Sequence, residues 1–134
     1  VLELVNAARA TPTDCGIAGV RPATYPLILN ATLGLAAQKH SEDMQAAGVM
    51  SHTTPQGAIH YAPGTRFFER IAQEGYRYQS ASENIAWGFS SPQAVVNAWL
   101  SSPGHCANIM SATVTELGVG RAGNFWTQKF ARPR

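Results

Sequence analysis

His52, Glu83 and His105 are the residues of this 134-residue sequence best placed to do chemistry. His52 follows a helical stretch and opens a long loop, and His105 follows a turn after a second helical stretch. Element ends of this kind hold ligand and catalytic groups on rigid supports. Glu83 lies between Ser82 and Asn84 at the head of an apolar strand. A carboxylate is depleted there unless it accepts backbone N–H groups or meets a cation such as Arg70. If the three side chains converge, two neutral imidazoles supply ligands to Zn²⁺ or another divalent cation, with water, Glu83 or a ligand atom completing the shell. Glu83 would alternatively act as general base on a water held there, making a metal-assisted hydrolase. A third reading is a hydrogen-bonded structural cluster in an interaction scaffold. His40 falls between Ala37 and Met44 on one helical face and is assigned to packing; His60, beside Tyr61 with no acidic neighbour in the chain, is read as a solvated loop histidine. Glu116, heading its own strand, is either partnered or an exposed strand end.

Other chemistries are excluded by pattern. The sequence contains no GxSxG, no HExxH, no glycine-rich phosphate loop and no EF-hand repeat. Its two cysteines, Cys15 and Cys106, form no CxxC and no zinc-finger spacing, so they are either bridged or free thiols. A bridge would close most of the chain into one loop and place the protein outside a reducing cytosol.

The elements that must position these groups are legible from periodicity. Leu2, Val5 and Ala8 recur at helical spacing until Pro12, and 15–26 reads as loop. Asn30 caps a helix whose apolar face is Leu33, Ala37, His40, Met44 and Ala47, with Gly48 as its stop; the cap accounts for Asn30 better than the Asn30-Ala31-Thr32 sequon. The 51–64 stretch, with Pro55, Gly57, Pro63 and Gly64, is a long loop, followed by a short helix around Phe67 to Ala72. Ser91-Pro92 starts another helix, carrying Val95, Ala98, Trp99 and Ser102 and ending at Pro103-Gly104. Strands are expected at 85–89, 117–120 and 125–130, the last two joined at Gly123-Asn124. Helices with an antiparallel sheet give an α+β or three-layer arrangement in one domain over 1–134.

Composition limits the partners. The 45% apolar content supports a sizeable core, and charged residues make up only 13%. A formal charge of +2 is too small and scattered for a nucleic-acid footprint. No segment has the ~20 consecutive apolar residues that cross a bilayer. The opening Val1-Leu2-Glu3 lacks the basic start of a signal peptide and reads as a mature or trimmed chain.

Five segments, taken in order, resemble the CAP superfamily of cysteine-rich secretory, antigen 5 and pathogenesis-related class 1 proteins. They are 37–44 around His40, Met50-Ser51-His52-Thr53, Ser82-Glu83-Asn84 with the apolar run to Gly88, Trp99 through Met110, and Glu116-Leu117-Gly118-Val119-Gly120. The Ser102-Pro103-Gly104-His105 run with Asn108-Ile109-Met110 is similar to the short bacterial secreted branch. The resemblance implies a three-layer α-β-α sandwich with a central antiparallel sheet and a cleft lined by two histidines and two glutamates. His52, Glu83 and His105 match three of those positions, and Ser102 stands where many eukaryotic members carry the second glutamate. It further implies a Cys15–Cys106 disulfide and a secreted, extracellular or periplasmic monomer. The ligand-cleft residues are then His52, Glu83, Ser102 and His105, with His52 and His105 as metal ligands. The partner implied is a divalent metal, a small apolar or lipid ligand, or a host or other extracellular protein. Binding is expected rather than catalysis.

Overall fold

A computed structural model describes residues 1–134. Its elements are α1 (Leu2–Arg9), β1 (Thr13–Asp14), a 3₁₀ turn (Gly16–Ala18), β2 (Val20–Arg21), β3 (Ile28–Leu29), α2 (Ala31–Ala47), α3 (Phe67–Gln73), β4 (Tyr78–Trp87), α4 (Pro92–Leu100), α5 (Pro103–Ile109), β5 (Glu116–Ala122) and β6 (Phe125–Pro133). The main sheet runs β3-β5-β6-β4. Its three long strands are antiparallel, and the two-residue β3 adds a parallel edge on β5.

Alternation along the strands sorts the helices into two layers. Ala86, Leu117, Trp126 and Phe130 point to a core shared with Val5 of α1, Val95, Val96 and Trp99 of α4, and Cys106 and Ile109 of α5. On the opposite face Ala131 meets Leu33 and Ala36 of α2 and Ile71 of α3. Gly118 and Gly120 explain how close α2 comes: a Cβ on Gly118 would lie 2.2 Å from the Leu33 carbonyl carbon, and one on Gly120 2.3 Å from the Gln38 nitrogen. Glycine at both positions lets helix backbone rest on strand backbone. The result is the expected three-layer sandwich.

Asn30 caps α2 through its side-chain oxygen, which accepts from the Leu33 N–H at 3.0 Å, and Gly48 closes the helix in the left-handed conformation. Several boundaries differ from expectation: β4 starts at Tyr78 and ends at Trp87 where a strand over 85–89 is expected, and the 15–26 stretch holds the 3₁₀ turn and β2. Pro103-Gly104 does not end the helical stretch in a turn; Pro103 is the first residue of α5, with Ser102 at its N-cap. Proline disrupts a helix interior but suits the first turn, where its missing N–H has no helical partner. His105 therefore sits inside the first turn of α5 instead of after it.

β4 is an edge strand, and unpaired edges invite further strand pairing. Here side chains cover it: Trp99 Nε1 donates to the Ile85 carbonyl at 3.0 Å, and Asn108 Nδ2 to the Glu83 carbonyl at 3.3 Å. Cys15 and Cys106 are bridged, tying the 3₁₀ turn to α5 across 91 residues of chain.

Candidate functional site

The covered edge of β4 is where the two faces of the sheet meet, and the site lies there. Glu83 and Lys129 are directly opposed residues of β4 and β6, on the α2/α3 face. Both are buried, and the Lys129 ammonium donates to Glu83 Oε2 and, at 3.1 Å, to the Phe67 carbonyl. Arg70 of α3 donates through Nη2 to Glu83 Oε2 at 2.8 Å and Oε1 at 3.1 Å. The same Nη2 reaches the His52 carbonyl at 2.8 Å, while Nη1 takes the Thr65 carbonyl and Thr54 hydroxyl. His52 Nδ1 lies 3.0 Å from Glu83 Oε1.

Burial by itself would push the Glu83 carboxyl up, but Lys129, the His52 hydrogen bond and Arg70 together hold it well below the ordinary carboxylate range. Burial also lowers Lys129 to about 8, against the attraction of Glu83. Glu83 is therefore an ionised acceptor with both oxygens engaged. A carboxylate stabilised by two cations, with both oxygens engaged, is a poor proton acceptor, which weighs against the roles of general base and third metal ligand.

An ionised carboxylate can only accept, so His52 must carry its proton on Nδ1 when neutral, leaving the Nε2 lone pair free. Its side chain is 53% exposed while that of Glu83 is 1% exposed. His105 arrives from the other face on α5. Its pKa is lowered by burial and, secondly, by charge on His52. The structure thus joins His52 directly to Glu83, and ties the backbone of His105 to the next residue of β4, Asn84.

Beside His105 lies an open cleft of about 240 Å³, lined by Met50, Ile85, Ala86, Trp87, Phe89, Ala98, Trp99 and Ser102. Ser102 makes no side-chain cap bond and brings a hydroxyl where a carboxylate would be needed. No three His, Cys, Asp or Glu side chains stand in metal-holding geometry. Catalytic zinc ordinarily takes three protein ligands. Two imidazoles and a committed Glu83 do not fit a resident zinc ion.

His40 is buried, as its helical position predicts, and its Nε2–H donates to the Ser51 carbonyl at 2.8 Å, which pins the chain just before His52. Burial pushes its pKa down to about 4, with Glu83 opposing that shift and Arg70 and Lys129 adding to it. His60 is not the isolated loop residue expected: Nε2 lies 2.6 Å from Glu42 Oε1. Buried Asp43 accepts the N–H groups of Ile59, His60 and Tyr61, which brings the loop back onto α2 and His60 onto Glu42. Glu116 is partnered, accepting from the Tyr76 hydroxyl at 2.6 Å. Lys129, Asn84, Asn108 and Met50 were not legible as site residues. Asn84 donates to the His105 carbonyl and to Gln128 and accepts from Asn108, so it joins α5 to the sheet. The available signal was a buried-type strand carrying Asn, Gln and Lys, which only strand register turns into contacts.

A three-layer sandwich with this histidine-bearing edge cleft defines a class. The chain belongs to the CAP, or cysteine-rich secretory protein, family, which matches residues 2–130. Among curated relatives, it is 34% identical over 132 residues to the uncharacterized protein YkwD of Bacillus subtilis (strain 168), covering 97% of this chain and 45% of YkwD. It is 32% identical over 94 residues to the uncharacterized membrane protein YlbC of the same organism, covering 69% of this chain and 25% of YlbC. The chain therefore spans less than half the length of either. Among solved structures it resembles an extracellular protein containing an SCP domain from Bacillus anthracis str. Ames, with TM-score 0.71, 32% identity, and coverage of 80% of this chain and 34% of that one. An outer surface protein of Borrelia burgdorferi shares the fold, with TM-score 0.69 at 22% identity over 81% of this chain and 78% of that one. No helix is long and apolar enough to cross a membrane.

Proposed function

We propose that this domain is an exported binding module whose edge cleft takes a small ligand with an apolar body and a polar head. Two observations support the reading: the His52–Glu83 hydrogen bond, which holds the His52 imidazole by its Nδ1 side, and the apolar cleft that His105 lines. The apolar body would lie on Trp87, Phe89 and Met50, and the head would meet the imidazoles. A divalent cation enters only as a shared partner, with water or ligand atoms supplying the donors that the chain lacks. Export is supported by the buried disulfide, which persists in oxidising compartments, and by the extracellular and outer-surface descriptions of structural relatives.

Calorimetry with Zn²⁺ and fluorescence titration with an apolar dye test this on the wild type and on the His52→Ala/His105→Ala variant. Loss of Zn²⁺ binding in the variant is expected, together with weaker dye binding; unchanged affinity for both defeats the reading. A scaffold role is the second reading, favoured by the buried Arg70–Glu83–Lys129 cluster. Under it, substitution at His52 lowers the melting temperature and leaves every titration unchanged.

A further inference from the structure

We propose that the end of the sheet where β4 begins and β6 finishes is a docking surface for a flexible phosphodiester polymer, with Arg77, Arg132 and Arg134 as its phosphate contacts. It lies at the opposite end of β4 from Trp87 and involves neither His52 nor His105. Strand pairing places the three arginines together. Tyr78 stands opposite Pro133 and Ser80 opposite Arg132, and the Arg134 N–H donates to the Arg77 carbonyl at 3.0 Å. Arg77 and Arg134 are exposed and line one open pocket of about 420 Å³ with Tyr76 and Tyr78. Arg132 lines the next pocket along β4, of about 320 Å³, with Gln79, Ser80 and Thr113.

Charge selects the partner. None of the three arginines makes an ion pair, unlike Lys39, which meets Glu74, and Arg66, which meets Glu69. Glu116, at the same end of β5, accepts from the Tyr76 hydroxyl instead. A fourth guanidinium lies beneath: buried Arg9 bonds only to carbonyl oxygens and sits over the Tyr25 ring. These four cations exceed the whole chain's net formal charge of +2, so the remainder of the chain is net acidic. Pockets lined by one sign of charge raise the local concentration of the opposite sign, and arginine forks match phosphate oxygens. Two of the forks are already held: Arg132 Nη2 donates to the Tyr25 hydroxyl at 2.9 Å, and Arg134 Nε to the Tyr78 carbonyl at 3.1 Å. Less side-chain freedom is then lost on binding. Neighbouring pockets, with Arg132 and Arg134 ~7 Å apart along β6, suit successive anionic groups on one backbone better than a single phosphate. A bilayer surface is disfavoured, because the exposed aliphatic side chains Ile17, Val20, Ile28 and Leu29 line neither pocket. Three contacts also fall short of the roughly 6 to 10 phosphates that a DNA-binding protein neutralises.

The test is calorimetric titration with poly(glycerol phosphate) across a salt series. The wild type should bind with an affinity that falls with salt, the slope of log affinity on log salt being about −2 for three phosphate contacts. Arg77→Gln/Arg134→Gln, a change at two exposed residues, should weaken binding by about tenfold or more and bring the slope to about −0.7, with the melting temperature unchanged. Arg132→Gln should act in the same direction. Lys39→Gln/Arg66→Gln removes as much charge from ion-paired positions and should change the affinity by less than about twofold. Glycerol 1-phosphate should bind more weakly than the polymer by about tenfold or more. The proposal is overturned if the polymer does not bind, if Arg77→Gln/Arg134→Gln keeps the wild-type affinity and slope, or if the Lys39/Arg66 control loses as much. It is equally overturned if glycerol 1-phosphate matches the polymer, or if phosphatidylglycerol vesicles or oligothymidylate bind more tightly than the polymer does. None of these outcomes bears on the cleft, which the His52→Ala/His105→Ala titrations test separately.

Discussion

His52 comes to the cleft from the α2 side of the sheet and is held by charge, whereas His105 comes from the α5 side and is held by covalent and backbone bonds. Behind His52 stand Glu83, Arg70 and Lys129, all buried and all ionised or ion-paired. Behind His105 stand the neighbouring Cys106 in its disulfide, the Cys106 N–H bonded to Ser102 at 2.8 Å, and Asn84 on the His105 carbonyl at 3.2 Å. One imidazole therefore rests on a buried ion cluster and the other beside a disulfide. A domain of this size gains precision at a sheet edge by fixing each face independently.

The largest break should come on the covalent side. Cys15→Ala/Cys106→Ala frees a 91-residue loop, and the chain-entropy argument gives a loss of about 4 to 5 kcal/mol, measurable by urea unfolding. The charge side should come next. Glu83→Gln strands Arg70 and Lys129 without their anion and should cost about 3 kcal/mol, while backbone amide shifts in α5 stay near their wild-type values. Shifts that spread equally through α5 would show that the two supports are not independent.

Acid should reach the charge side early. His40 titrates at about 4 when folded, below its ordinary 6.5, so the unfolded chain takes up the proton first. Its contribution is complete above about 6.5 and is lost as pH falls towards 4, on the order of 3 kcal/mol in all. Glu83, lowered further, gives up its contribution only as pH falls below the usual carboxylate range. Unfolding free energies across this window should fall with pH in the wild type and flatten in His40→Gln; an equally steep fall in the variant removes His40 as the cause. The smallest effect should be that of Asn84→Ala, about 2 kcal/mol from lost buried hydrogen bonds, with the α5 amides moving this time and the His52–Glu83 contact preserved.

Much of the frame was legible because local chemistry writes it. Asn30 and Gly48 bracket α2 and Ser91-Pro92 opens α4, each by a rule that acts over a few residues. His52, Glu83 and His105 were legible as a set only through family resemblance, since periodicity says nothing of which faces meet. Lys129 and Asn84 were hidden because their meaning depends on the β4–β6 register, and His60 because Glu42 lies on a different element. Pro103 misled because it opens a second helix, after α4 has already closed at Leu100 with Ser101 as its C-cap.

The central claim is that Glu83 holds the His52 proton on Nδ1 and so leaves Nε2 unprotonated. Long-range ¹⁵N–¹H correlation of the imidazoles at neutral pH measures this directly. The expected spectrum shows a single Nδ1–H tautomer for His52 that relaxes to a tautomer mixture in Glu83→Gln. A protonated Nε2 in the wild type, or a mixture insensitive to Glu83, contradicts the account.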